Sequence, residues 1–453
     1  MKKHTKNRIS DKIQLGCVLY LCAWLLAPPL VYGTIYRLLA VLVAVIWIFA
    51  QIFMHCEFSC SADHATAKRK FYFVVLSFVY LATLFFYRCY FEHSSLIGSL
   101  LDDINTYILL FVAYIGVAYV EEKRQGDLKI IFFFCLILAI VFSLTSILRP
   151  PEYFEFTRSA GGESSSEYLA TARRAAALGV GGFGFFCFTS VFAPFVLWTA
   201  FKFKRWYFYA AFVVVEIGVI SAGYTLALII SLVGIVYCFF LNVKSIVPRL
   251  FAVLFVIFFL LMGSAIAEEV YLFLRKVFDG SHYQVKIEDI FMFILEGESV
   301  GTFADRQERY LRSLSAIFNY PVFGSRLLSG KAVSGYHSSV LDHFAVYGWG
   351  IGAIWLYLFV FMPSDLMVYK PKKINHQKIL SMLLLFLTAL FNQYTMMMGV
   401  FCLLFPALSI VLLENSTDVR GESGNENIVD NVCGARKSRR GNRRSFFAKR
   451  NVD

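Results

Sequence analysis

Apolar runs of membrane-spanning length recur from one end of this 453-residue chain to the other. A helical span needs about 20 such residues, so a chain carrying many of them is built for a bilayer. Composition agrees: 58% of residues are hydrophobic, 17% aromatic and 16% charged. A soluble domain carries roughly 25% charged residues. The fold class expected is all-α, a polytopic membrane protein. Twelve spans are predicted, at 13–31, 34–54, 71–90, 104–120, 130–148, 177–199, 206–221, 223–241, 250–267, 340–362, 379–396 and 399–413. Only the Ser221–Tyr224 turn joins the seventh and eighth.

Charge orients the spans. With Met1 placed inside and the spans alternating, 29 of the 43 Lys and Arg residues fall on inside segments. Of the remainder, 12 lie in two longer loops, 149–175 and 268–339. Short loops keep their basic residues cytoplasmic, whereas long ones translocate despite them. Both termini are therefore expected in the cytoplasm. The chain divides into spans 1–9 with the 149–175 loop (1–267), a large outside loop (268–339), spans 10–12 (340–413) and a basic tail (414–453). The first apolar run leads through Pro28 and Pro29 into a second span, which suits a signal anchor better than a cleaved leader. The tail ends in RKSRRGNRRSFFAKR and is too polar to bury a core. Its natural partner is an anionic lipid surface rather than nucleic acid.

None of the ten cysteines falls in either long loop, so a disulfide framework is not expected. MHCEFSCSADH (54–64) contains Cys56 and Cys60 beside His55 and His64. It lacks the tight pairs and matching second half of a zinc site, and a reduced connector is the simpler reading. No metal or other cofactor is expected.

Charge is sparse within the spans. Glu216 is the clearest mid-span carboxylate; such a group costs roughly 2.5–3.5 kcal/mol to insert, so a hydrogen-bonded packing role and a functional one both stand. Arg37 and Arg88 sit near outer helix ends, where they can snorkel. A proton-driven transporter would show more interior charge.

Attention moves to the outside loops. TFADRQERYLRSLSAIFNYPVFG (302–324) predicts an amphipathic helix ending before Pro321. Tyr310, Leu311, Leu314, Ile317 and Phe318 share one face, and Arg306, Arg309 and Arg312 the opposite arc. Such a helix can lie along the membrane surface. Its arginine edge suits either lipid phosphates or a diphosphate ligand, which guanidinium forks bind bidentately. Arg173 and Arg174 stand just before the sixth span, placed for headgroup anchoring or ligand binding alike. The glycines at 179, 181, 182 and 184 permit close helix packing. SGYHSSVLDHFAVYGWG (334–350) then sets His337 and Asp342 at the mouth of the tenth span. His337 alone reads as an interfacial residue, and Asp342 as a helix-start carboxylate. Beside two arginine-bearing loops, the histidine gains a reading as a base.

The segment from Arg306 to Gly350 resembles the signature region of bacterial O-antigen polymerases and ligases. His337, Ser338 and Gly348 fit the ligase spacing of a histidine, a small polar residue and a later glycine. Leu341-Asp342 and Tyr347-Gly348 fit the polymerase pattern, as does the arginine-rich run-up ending in Asn-Tyr-Pro and Phe-Gly. About 45 residues carry the likeness strongly, and the overall topology carries it loosely. Many members place Ser-Arg between the seventh and eighth spans. Gly223-Tyr224 stands there in this chain, so a third phosphate-binding arginine is not carried over.

The resemblance implies a type C glycosyltransferase-like enzyme of the bacterial inner membrane, joining undecaprenyl-diphosphate-linked oligosaccharides on its outer side. It implies His337 as base or aligning group, with Asp342 orienting it or binding sugar. Arg306, Arg309, Arg173 and Arg174 would hold diphosphate, and Tyr310 and Tyr336 would stack on sugar. Chain-length regulator and flippase proteins are candidate partners. A ligase or protein-glycosylating transferase would use the same donor and histidine. A non-enzymatic lipid-linked oligosaccharide flippase should instead show internal repeats and cations within its spans; no clear repeat is visible.

Overall fold

The computed structural model describes residues 2–31, 33–54, 64–91, 95, 98, 103–122, 124–149, 166–242, 301–367, 375–392 and 398–418, with scattered residues between 272 and 288. Every regular element among them is helical. In chain order these are α1 (Lys2–Leu26), α2 (Pro28–Val31), α3 (Thr34–Met54), α4 (His64–Phe91), α5 (Ile104–Glu121) and α6 (Gln125–Ile147). There follow α7 (Ser166–Ala177), α8 (Phe183–Phe203), α9 (Trp206–Ala222), α10 (Thr225–Asn242), α11 (Gly301–Asn319) and α12 (Gly324–Ser329). Last come α13 (Ser339–Leu356), a π turn (Tyr357–Phe361), α14 (Met362–Asp365), α15 (His376–Phe391) and α16 (Met398–Asp418). Residues 1–412 form one compact unit and 413–453 a second, of which only the end of α16 is described.

Among the described residues, seven helical stretches are long and apolar enough to cross a membrane: Ile9–Leu26, Ile35–Ile52, Arg69–Phe91, Ile104–Glu121, Gln125–Ile147, Phe183–Phe203 and Ser339–Asp365. Four apolar helices are shorter: Trp206–Ala222, Thr225–Leu241, His376–Phe391 and Gly399–Leu412. The chain is thus a membrane-embedded protein whose described residues form helices and no strand. The ninth predicted span, the MHCEFSCSADH connector up to Asp63 and most of the basic tail lie outside the described residues.

Aromatic packing explains the bundle's centre. The Phe-rich α8 is nearly enclosed, burying Phe186, Phe188, Phe192 and Phe195 completely. Phe188 lies 5.4 Å from Phe401 and Phe195 lies 5.2 Å from Phe405, ring centre to ring centre, tying α8 to α16. Phe132 of α6 meets Phe192 edge-on at 6.0 Å, the geometry aromatic quadrupoles favour. By contrast α3 exposes Leu38, Leu42, Ile46 and Phe49. Those positions share one helical stripe and form a lipid-facing flank.

Several expected boundaries move. The first span breaks at Ala27, because Pro28 and Pro29 cannot continue the amide ladder; α1 stops at Leu26 and α2 is separate. The sixth span begins at Phe183 rather than 177. The glycines ahead of it serve a turn more than helix packing: Gly181 donates its N–H to Ser146 Oγ at 2.8 Å. Arg173 and Arg174 therefore sit on the distinct helix α7, not at the start of a span. The tenth span runs on to Asp365 through the π turn, which lies just ahead of Pro363, a residue without an amide to donate. The span-mouth arginine Arg88 does not snorkel. It forms a two-pronged ion pair with the buried Asp103, at 2.8 and 3.0 Å.

Candidate functional site

The site is built where α11 crosses the mouth of α13. Two glycines make that crossing possible. Gly348 interrupts α13 with φ 80° and ψ 177°, and Gly324 has φ 74°. A side-chain carbon on Gly348 would stand 2.3 Å from the Val322 carbonyl oxygen, and one on Gly324 would stand 2.2 Å from that of Val346. Only glycine combines this close approach with a positive φ. Trp349 then donates its N–H to the Pro321 carbonyl at 2.8 Å. The Asn-Tyr-Pro and Phe-Gly run-up is thereby stitched to the Tyr-Gly kink, giving both motifs one structural purpose.

The loop 334–338 is held from beneath by Asp342 and Ser313. Ser313, on α11, is 1% exposed. Its hydroxyl donates to Asp342 Oδ1 at 2.8 Å and accepts the Gly335 N–H at 2.8 Å. Asp342 Oδ2 accepts the Ser338 N–H at 3.2 Å, and Ser338 Oγ accepts the Leu341 N–H at 3.1 Å. The last two bonds form a reciprocal helix cap, one residue longer than the usual capping box. Both carboxylate oxygens of Asp342 are occupied in this way. It supports the loop that carries His337.

His337 is half-buried, and its Nδ1 lies 3.1 Å from the Tyr336 carbonyl oxygen. A carbonyl only accepts, so Nδ1 carries the proton and Nε2 keeps its lone pair. Tyr336 reaches this geometry with φ 57°, unusual for a non-glycine residue, and strain of that kind concentrates at functional positions. Partial burial and the charges of Arg309 and Arg306 hold the His337 pKa below the ordinary histidine value, while Asp305 opposes them. These influences favour the uncharged ring, in which Nε2 is the nitrogen able to accept a proton.

The arginines differ in their partners. Arg309 is paired with Asp305 at 3.0 Å, and Arg312 with Glu308 at 3.2 Å, each one helical turn apart. The Arg309 hydrogen bond holds the Asp305 carboxyl below its usual range. Arg306 is exposed, and no carboxylate partner for it is present among the described contacts. Tyr310 donates its hydroxyl to the Phe391 carbonyl at 3.1 Å, and burial raises its pKa. Ser339 N–H reaches the Asn392 carbonyl at 2.9 Å, so the end of α15 closes a third side. The exposed Tyr336 ring stands beside His337.

Arg306, Arg309, Tyr310, Tyr336, His337 and Asp342 are therefore brought together. Arg173 and Arg174 are exposed on α7, and no hydrogen bond or ion pair among the described contacts joins them to this group. Glu216 accepts a hydrogen bond from Ser231 at 2.6 Å, which links α9 to α10. Sequence reasoning missed Ser313; its spacing, four residues after Arg309 and seven after Arg306 on one helical face, was the available signal. It also missed the Asp305–Arg309 pair, visible as an i, i+4 spacing. No group of three or more His, Cys, Asp or Glu side chains suited to a metal ion occurs among the described residues. No protein-family model, curated protein or solved structure matches the chain.

Proposed function

We propose that this chain is a twelve-span, type C glycosyltransferase-like enzyme of the bacterial cytoplasmic membrane, with both termini inside. It polymerises undecaprenyl-diphosphate-linked oligosaccharide repeat units on the outer side of that membrane, making O-antigen, capsular or related surface polysaccharide. The observation that carries this reading is the placement of His337, its Nδ1 turned to the Tyr336 carbonyl and its Nε2 left to face a ligand, beside the charges of Arg306 and Arg309. A base and a pair of anion-binding forks are what transfer from a lipid diphosphate requires. The Lys and Arg asymmetry supports the orientation, and the motif from Arg306 to Gly350 supports the substrate class.

In the proposed step, the acceptor sugar hydroxyl attacks the anomeric carbon of the donor glycan. The new glycosidic bond forms as the anomeric carbon–diphosphate bond breaks, and the electron pair leaves with the diphosphate. His337 Nε2 takes the hydroxyl proton and later passes it to water or to the leaving phosphate. Arg306 stabilises the growing negative charge, an effect strongest from groups already fixed in place. Arg309, braced by Asp305, adds to the same field. Arg173 and Arg174 belong to the proposal through the resemblance alone.

The deciding experiment is the surface glycan of a deletion strain. A ladder collapsing to core plus one repeat unit is expected. Loss of all attached glycan with lipid-linked polymer accumulating would indicate a ligase instead, and loss of outward-facing lipid-linked repeats a flippase.

A further inference from the structure

The helix α11 carries a surface that the histidine site does not use. Three faces run along it. The packed face holds Ser313 and Ala316, both nearly solvent-free. A polar face holds the Arg312–Glu308 pair. The third is apolar and bare: Leu311, Leu314 and Phe318, with Phe318 74% exposed. The two-faced helix read from sequence is thus three-faced, because Tyr310 and Ile317 turn partly toward the protein. Past the helix end, Val322, Phe323 and Leu328 are exposed as well. An apolar surface of this kind marks a contact rather than a water-facing loop.

Its neighbours identify the contact. The Tyr87 hydroxyl of α4 donates to the Phe323 carbonyl at 3.0 Å, and the Trp349 N–H of α13 to that of Pro321 at 2.8 Å. Both α4 and α13 belong to membrane-crossing stretches, and their Phe86, Tyr90 and Trp349 side chains are exposed beside these joints. The bare face of α11 and the turn after it therefore continue the lipid-facing flank of two spans. We infer that this face is sunk into bilayer lipid, so that α11 lies in the plane of the membrane surface. The polar face turns to water. An in-plane helix of this kind sits with its apolar side roughly 5–10 Å into the headgroup boundary. The occupant is bulk phospholipid, and the inference holds whatever reaction the histidine site performs.

The test places the photoreactive residue p-benzoylphenylalanine at Phe318, Val322 or Leu328 in the full chain. The protein is reconstituted in nanodiscs of phosphatidylethanolamine and phosphatidylglycerol, with no polyprenyl lipid present. Phe78, 71% exposed on α4, is the lipid-facing control, and Glu308 the water-facing one. Phospholipid adducts are expected at the three test positions, at a yield comparable to Phe78, and absent at Glu308. Cross-links to a second copy of the chain, or no lipid adduct where Phe78 gives one, would overturn the inference. Three independent positions guard against one variant misfolding.

Discussion

His337 and His343 stand at the same span mouth and meet opposite fates. His343 is enclosed by the first turns of α13. Its Nδ1 donates to the Ser339 carbonyl at 2.6 Å, and its Nε2 accepts from the Tyr80 hydroxyl at 3.1 Å. The ring stacks on Trp355 at 4.3 Å with a 15° tilt. Every polar atom of that ring is satisfied inside the protein, so it joins α13 to α4 and offers nothing to a ligand. His337 sits on the loop just before, with one nitrogen bound and no partner for the other among the described contacts. The lesson is that a histidine's chemistry follows from how many of its two nitrogens the fold leaves unused.

The largest effect should come from exchanging the roles these two regions assign. With purified protein and lipid-linked repeat units, His337→Ala and His337→Gln are expected to lower the rate about 10²–10⁴-fold, the usual cost of losing a general base. Thermal stability should stay near wild type. His343→Ala should do the reverse, losing on the order of 2 kcal/mol of stability with its two hydrogen bonds and the Trp355 stack. Its residual activity should track the folded fraction. Near-normal turnover by His337→Gln would remove base catalysis from the proposal, and by both His337 variants would remove the residue from the site.

A smaller effect is expected from the arginines. Arg306→Ala should reduce polymerisation more than Arg309→Ala, since Arg309 already answers Asp305. Lysine at 306 should restore activity only in part, because it keeps the charge but loses the planar fork. Wild-type glycan ladders from both alanine variants, at equal protein level, would exclude a diphosphate role for this helix.

The loop support comes next. Ser313→Ala removes the bridge between Asp342 and the Gly335 N–H, and should lower kcat while leaving KM nearly unchanged. Ser313→Thr retains the hydroxyl and should recover most of the loss. Equal defects in the two variants would argue for simple packing.

The smallest effect is a shift in pH dependence. A base works unprotonated, so kcat/KM should fall as pH drops through the His337 pKa, at an inflection below 6.5. Asp305 raises that pKa, so Asp305→Asn should move the inflection lower still. A shift toward higher pH would show that Asp305 does not act on the ring through its charge.

The sequence by itself determined the class of fold. Long apolar runs leave a helix in lipid as the one way to satisfy their backbone, and α3, α5 and α9 begin at the expected residues and end within one of the expected ends. It also marked the stretch from Arg306 to Gly350, because an arginine-bearing helix leads into a histidine and a carboxylate at the mouth of a span, in the pattern the resemblance rests on. Tertiary structure alone decided which of them meet. Helical periodicity placed Arg306, Arg309 and Arg312 on one arc and Arg309 and Arg312 each one turn from an acid, but the meeting of that helix with the His337 loop runs through Ser313 and the Gly335 N–H, which no local spacing shows. Periodicity also could not show that Asp342 supports the loop, because its partner Ser313 lies 29 residues away along the chain. Contacts of that kind join distant segments through close backbone approach at Gly324 and Gly348, and local pattern holds no record of who approaches whom.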